Sequence, residues 1–131
     1  MSMIPDAYLD LLTTKNPLAI VATLQPDGTP QATPVWFDYV DGKLRFNTAR
    51  GRVKERNLEA NPNVALVIVD QSNPYRYIQI RGKIVGSTEE GARDVIDTLS
   101  HKYLGKPYPF ARPGEVRVTY LVEPTSCQSM G

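Results

Sequence analysis

The sequence predicts a small, mainly β protein: six antiparallel strands closed into a barrel and flanked by two or three helices. Three observations carry this. Apolar and polar residues alternate over short runs. Eleven prolines and nine glycines punctuate those runs. Turn sequences at Asp27-Gly28 and Asp41-Gly42 join consecutive runs as hairpins. Barrel closure removes the edges that such strands would otherwise expose. The 131 residues suit one domain, 1–131, able to bury about two-thirds of its unfolded surface. No internal repeat, low-complexity tract or linker divides the chain.

Pro5 and the spacing of Ile4, Tyr8, Leu11 and Leu12 predict a first short helix, stopped by Asn16-Pro17. Leu18 to Gln25 reads as a strand, and Pro26-Asp27-Gly28 as its turn. Thr29 to Val40 follows as one long strand, which Pro30 and Pro34 place at an edge or bulge. Lys43 to Thr48 is a third strand, with Leu44 and Phe46 alternating against Lys43, Arg45 and Asn47. Gly51 to Ala60 loses the alternation and reads as a helix ended by Asn61-Pro62. The nearly all-apolar Val64 to Asp70 predicts a strand covered on both faces. Tyr75 to Ser87 alternates, with Ile78, Ile80 and Ile84 on one face. Ser87 and Glu90 form a capping-box pattern for a helix to about Leu104, with Ala92, Val95, Ile96, Leu99 and Tyr103 as its apolar face. A loop from Gly105 to Gly114 leads to a last strand, Val116 to Val122, ended by Pro124.

Composition narrows the chemistry. Fifteen Lys and Arg against fourteen Asp and Glu give a net charge of +1, which argues against a polyanion-coating protein. No apolar run approaches the ~20 residues that span a bilayer. Met1 to Pro17 carries Asp6 and Asp10 and lacks the basic start and apolar core of a signal peptide, so a cytoplasmic protein without membrane partners is expected. One cysteine, Cys127, and one histidine, His101, leave no internal disulfide and no His/Cys zinc site within one chain. His101 reads as a solvated residue near a helix C-terminus. Redox or group-transfer activity would therefore rest on a bound cofactor.

The most informative stretch runs from Arg45 to Arg56. It holds Arg45, Arg50, Arg52, Lys54 and Arg56 against a single acid, Glu55. A charge run alone favours a solvated helix face. This one lies where a strand, Phe46-Asn47-Thr48, passes through Ala49-Arg50-Gly51 into a helix. A helix N-terminus presents backbone N–H groups, Arg offers a fork and Lys a point charge, so the stretch reads as a phosphate pocket. Asn47 and Thr48 add neutral hydrogen bonds. The second feature is Ala32-Thr33-Pro34-Val35-Trp36-Phe37-Asp38, where proline leaves neighbouring backbone groups able to bond the edge of a flat ring. The alternative is that Trp36 and Phe37 are core or interface aromatics. The third, Asn73-Pro74-Tyr75-Arg76-Tyr77 with Arg81 and Lys83, is a polar sheet face or a second wall of the anion site. No G-x-G-x-x-G and no Walker A sequence is present.

Gly51-Arg52-Val53-Lys54-Glu55-Arg56-Asn57-Leu58, followed by Asn61-Pro62, resembles the flavin/deazaflavin split-barrel superfamily typified by pyridoxamine 5'-phosphate oxidase. More narrowly, the chain resembles that superfamily's small reductases that use the deazaflavin coenzyme F420. The likeness covers nearly the whole chain, through Ala-Ile-Val-Ala-Thr-Leu, Thr33-Pro34-Val35-Trp36, Phe46-Asn47-Thr48 and Ile80-Arg81-Gly82. It implies a six-stranded split barrel acting as a homodimer, with two cofactor sites at the subunit interface. It implies that Arg52 and Lys54 hold the cofactor phosphate, and that Thr48, Ala49 and Arg50 line the same pocket. Residues Thr33 to Trp36 would run along the tricyclic ring, Asn57 would brace the loop, and Arg76 and Tyr77 would reach over from the other subunit. Ala49-Arg50-Gly51 stands where FMN-binding members often carry Ser or Thr, which leans the cofactor toward F420.

The expected function is hydride transfer between F420 and a small electron-poor substrate, with no catalytic residue assigned. An FMN enzyme of the same architecture, an F420 carrier or sensor without turnover, and a small RNA-binding barrel are the alternatives. The net charge argues against the last. In the Gly105 to Gly114 loop, Tyr108, Phe110 and Arg112 are candidates for the substrate mouth.

Overall fold

The computed structural model describes residues 3–131; Met1 and Ser2, the start of the segment read as lacking a leader, lie outside the described residues. A 3-10 turn (Asp6–Tyr8) runs into α1 (Leu9–Thr13). It is followed by β1 (Ala19–Leu24), β2 (Pro30–Val35), β3 (Phe37–Val40), β4 (Lys43–Ala49), α2 (Val53–Ala60), β5 (Asn63–Val69), β6 (Tyr77–Thr88), α3 (Ala92–Leu104) and β7 (Arg117–Met130). The strands form one antiparallel sheet in the order β2-β1-β5-β6-β7-β4-β3. Its two edges, β2 and β3, are separated in sequence only by Trp36. Consecutive Cα atoms lie about 3.8 Å apart, so the sheet must curl until its edges meet. The result is a split barrel whose seam passes through Trp36.

The sheet has seven strands where six are expected, because Thr29 to Val40 is not continuous. At Trp36 the chain leaves β1, its partner on one side, and joins β4 on the other. Pro30 and Pro34 do lie on an edge: β2 pairs with β1 alone. The last strand does not stop at Pro124 but continues to Met130. Pro124 falls at a register shift opposite Gly82, where a Cβ would come within 2.6 Å of the Glu123 carbonyl. Glycine there lets the strands close on the bulge that accommodates proline's missing donor. The Ser87–Glu90 capping box does not form. Ser87 stays in β6 opposite Tyr120, and α3 starts behind Gly91 (φ 73°), with no side-chain cap. The first helix is a 3-10 turn before it is α-helical. β5 has one buried face and one partly covered, rather than two covered faces.

The barrel interior is the alternating set that the pattern predicts. Leu44 and Phe46 of β4, Ile78 and Ile80 of β6, and Val118, Tyr120 and Val122 of β7 are buried with Leu66 and Ile68 of β5. Leu11 and Leu12 of α1 join this core. Phe46 and Tyr120, cross-strand partners, stack with ring centroids 5.6 Å apart. Burial on this scale is the main stabilising term, at about 25 cal/mol per Å² of apolar surface. No helix among the described residues is long and apolar enough to cross a membrane.

Candidate functional site

A cavity of about 300 Å³ opens beside the seam. β2 contributes Pro34 and Val35, the seam Trp36, β4 Asn47 and Thr48, and the start of α2 Arg52 and Lys54. Seven of the sequence-predicted residues therefore share one space. Leu18, Ile96, Tyr108, Phe110 and Arg117 complete the lining.

The seam is held from α3. Lys102 Nζ donates to the Phe37 carbonyl at 2.6 Å, and the Tyr103 hydroxyl donates to the Pro17 carbonyl at 2.7 Å. Burial pushes the Tyr103 phenol up to about 12, so it remains a neutral donor. Trp36 stacks on Tyr103 at 5.6 Å and meets the edge of Tyr108 at 6.1 Å. Phe37, by contrast, is a core residue. The cavity thus has an aromatic wall at one end.

The other end is cationic. Arg52 is the N-cap residue of α2, in extended backbone after Gly51 (φ 93°). Lys54 is partly buried and has no ion-pair partner among the described residues. Burial, then the charges of Arg52 and Arg117, push its ammonium down to about 8. Arg117 is buried, and its Nε donates to Asn47 Oδ1 at 2.7 Å. Asn47 in turn donates to the Ala92 carbonyl of α3 at 2.9 Å. Glu115 is the acid that faces this group, 3.3 Å from Arg117 Nη1 and 3.8 Å from Arg52 Nη2. The Thr48 hydroxyl is buried without a hydrogen-bond partner. An arrangement with surplus positive charge and an orphaned hydroxyl suits a phosphoryl group.

The remaining predicted residues lie outside the cavity lining. Thr33 and Ala49 precede and follow the lining positions on their strands. Arg50 is tied to Glu55, Glu59 and Glu89. Gly51 N–H, one of the amides that the sequence offers to an anion, donates to Glu55 Oε1 at 2.8 Å. Asn57 is buried and donates to Thr23 Oγ1 at 3.0 Å, anchoring α2 to β1. Arg76 is held within its own chain by Asp10 and Asp70. Tyr77 pairs with Val69 and Met130 in the sheet. Of the loop residues, Tyr108 and Phe110 line the cavity and Arg112 does not.

Arg117 is the member that sequence reading misses. In Glu115-Val116-Arg117-Val118-Thr119 an arginine between valines reads as the solvent face of a strand. The available signal is that Asn47 of β4 and Thr119 of β7 are directly paired and polar, and so share a face with Arg117 that α3 covers.

The family model described as pyridoxamine 5'-phosphate oxidase matches residues 4–130. Among solved structures, an F420 reductase is 34% identical, with a TM-score of 0.85, and the match covers 95% of this chain and 98% of that one. A conserved hypothetical protein from Mycobacterium tuberculosis is 21% identical, with a TM-score of 0.77 over 97% of this chain and 84% of that one. General Stress Protein 26 from Bacillus anthracis is 17% identical, with a TM-score of 0.68 over 95% and 92%. The last two share the fold. No curated protein matches the chain.

Proposed function

The chain belongs to the pyridoxamine 5'-phosphate oxidase family, and on that premise we propose that it is an oxidoreductase using coenzyme F420. The observation that carries this is the meeting of Arg52 and Lys54 with Trp36 and the β2 edge in one cavity. Likeness to an F420 reductase at 34% identity supports the choice of cofactor.

The residues fit such a group. Arg52 and Lys54 hold the phosphoryl oxygens, and the orphaned Thr48 hydroxyl supplies a further hydrogen bond. Thr33 to Val35, on a strand with a single partner, offer backbone groups to the edge of a flat ring. Trp36, Tyr108 and Phe110 shield the ring side from water. Asn57 keeps α2, and with it the cations, at a fixed distance from β1. When bound, the deazaflavin exchanges a hydride with a small electron-poor substrate; the protein contributes orientation, charge and exclusion of water. Two copies pair through the outer face of β1, where Ile20 and Leu24 are exposed. That pairing completes the site at the interface and keeps those apolar side chains from water.

FMN is the second reading, because the cations grip a phosphoryl group that both cofactors carry. Fluorescence titration of the purified protein with F420 and with FMN separates them. Saturable quenching with F420, weakened by about 1.5–3 kcal/mol in Lys54→Ala, is expected. Micromolar FMN binding without F420 binding moves the assignment to FMN, and binding of neither overturns it. Turnover of reduced F420 with a panel of quinones and enones distinguishes an enzyme from a carrier.

A further inference from the structure

We infer that Arg117 is a third cation of the anion site and grips the phosphoryl group directly through its guanidinium. The inference rests on, and deepens, the reading of the cavity as a phosphoryl-cofactor site.

Val118, Tyr120 and Val122 of β7 point into the barrel, so Arg117 lies on the opposite face, paired with Ala49. Its side chain is only 5% exposed. A guanidinium in that position needs compensation for lost hydration. Its compensation is incomplete. Nε is satisfied by Asn47, and the guanidinium carbon lies 5.2 Å over the Tyr108 ring. Nη1 is 3.3 Å from Glu115 Oε1, yet neither atom makes a hydrogen bond.

Glu115 does not balance the group. The one carboxylate is shared between Arg117 and Arg52, and Lys54 stands beside both. Three cations thus converge with one acid. Burial first, and then the charges of Arg52 and Arg117, lower the affinity of Lys54 for its proton. Arg117 Nη1 and Thr48 Oγ1 are buried without a hydrogen bond, and both residues line the cavity. A phosphoryl group supplies what is missing: negative charge together with several acceptor oxygens in one small volume. Asn47 and Glu115 act through Arg117, holding the planar fork in place.

The test uses isothermal titration of the full chain with inorganic pyrophosphate, then with F420 and with FMN. The double variant Glu115→Gln/Arg117→Met removes one cation and one acid together. The net charge of the site is unchanged, and no buried acid is left alone. Loss of a direct contact weakens binding of pyrophosphate by about tenfold to a hundredfold. Unchanged affinity overturns the inference, since only the net field would then matter. If the double variant does not fold, Arg117→Lys decides, because it keeps the charge and loses the fork. Weaker binding supports the inference and equal binding overturns it. Pyrophosphate binding that depends on Arg117, with neither cofactor bound, supports Arg117 as an anion ligand and removes the cofactor reading. Cofactor binding indifferent to Arg117 does the reverse, and a wild type that binds none of the three removes both.

Discussion

Arg76 and Lys54 are both candidate ligands by sequence, and the structure treats them differently. Both terminal nitrogens of Arg76 are engaged. They meet Asp10 at 2.6 and 3.1 Å, Asp70 at 2.9 Å and the Ala7 carbonyl at 2.7 Å. Lys15 reaches the same Asp70 carboxylate at 3.2 Å. Two cations thus face two carboxylates, and the group ties the first helical segment to the turn between β5 and β6. At the cavity, Arg52 and Arg117 share Glu115, and Lys54 has no ion-pair partner among the described residues. Arg50, with three acids around it, belongs with Arg76. Cations whose charge is answered within the chain are clamps. Cations left in surplus around a cavity are the candidates for holding an anion that the chain itself does not supply.

The largest expected effect is on the surplus. Replacing Arg52 and Lys54 together by Ala removes two of the three cavity cations. It should weaken cofactor binding by about 3–6 kcal/mol if the two contributions are near additive. Titration monitored by fluorescence reads this directly, and an affinity loss below tenfold breaks the contrast.

A smaller effect, on stability, is expected for Asn57→Ala. The lost buried bond to Thr23 should lower unfolding free energy by about 1–3 kcal/mol in urea denaturation. Because α2 carries the cations, a modest loss of affinity accompanies it.

Arg76→Ala should lower the melting temperature and leave cofactor affinity unchanged. Asp70 is held well below its usual range by Ser72, then by Arg76 and Lys15. Its stabilising contribution is therefore present above the ordinary value of 3.8 and lost as pH falls through the lowered one. Arg76→Ala should shrink that contribution, flattening the acid limb of the stability profile. An affinity loss in Arg76→Ala would place Arg76 in the site.

The smallest effect is on pH dependence. Lys54 titrates at about 8 in the free protein, and it grips an anion only when charged. Affinity should fall by up to about tenfold between pH 7 and about pH 9, and Lys54→Ala should lose that slope. Stability carries the opposite sign. A depressed folded-state value means that charged Lys54 costs stability below about 8, and the cost is relieved as pH rises toward the ordinary 10.5. A slope retained in Lys54→Ala assigns the titration to another group.

The strands were legible because their burial has period two. Leu44 and Phe46, Ile78 and Ile80, and Val118, Tyr120 and Val122 announce a buried face without knowledge of their partners. The seam was not, since the break at Trp36 comes from a change of partner from β1 to β4, and both are set by long-range pairing. The continuation past Pro124 depends on Gly82, far away in sequence. In the candidate site, Arg52, Lys54, Asn47 and Thr48 were legible because they lie close together in the chain. Arg117 was not, because α3 covers its face of β7 and only the fold shows it. The intrachain pairing of Arg76 was not legible, because Asp10 is remote in sequence and Asp70 lies outside the Asn73–Tyr77 motif.

The central claim is that surplus cations beside the seam bind the phosphoryl group of a flavin-type redox cofactor. Its most direct test is parallel fluorescence titration of the wild type, Lys54→Ala and Arg76→Ala with F420 and FMN at pH 7. Saturable binding of one cofactor to the wild type and to Arg76→Ala is expected, with binding to Lys54→Ala weaker by tenfold or more. Equal binding to Lys54→Ala, or no binding to the wild type, would contradict it.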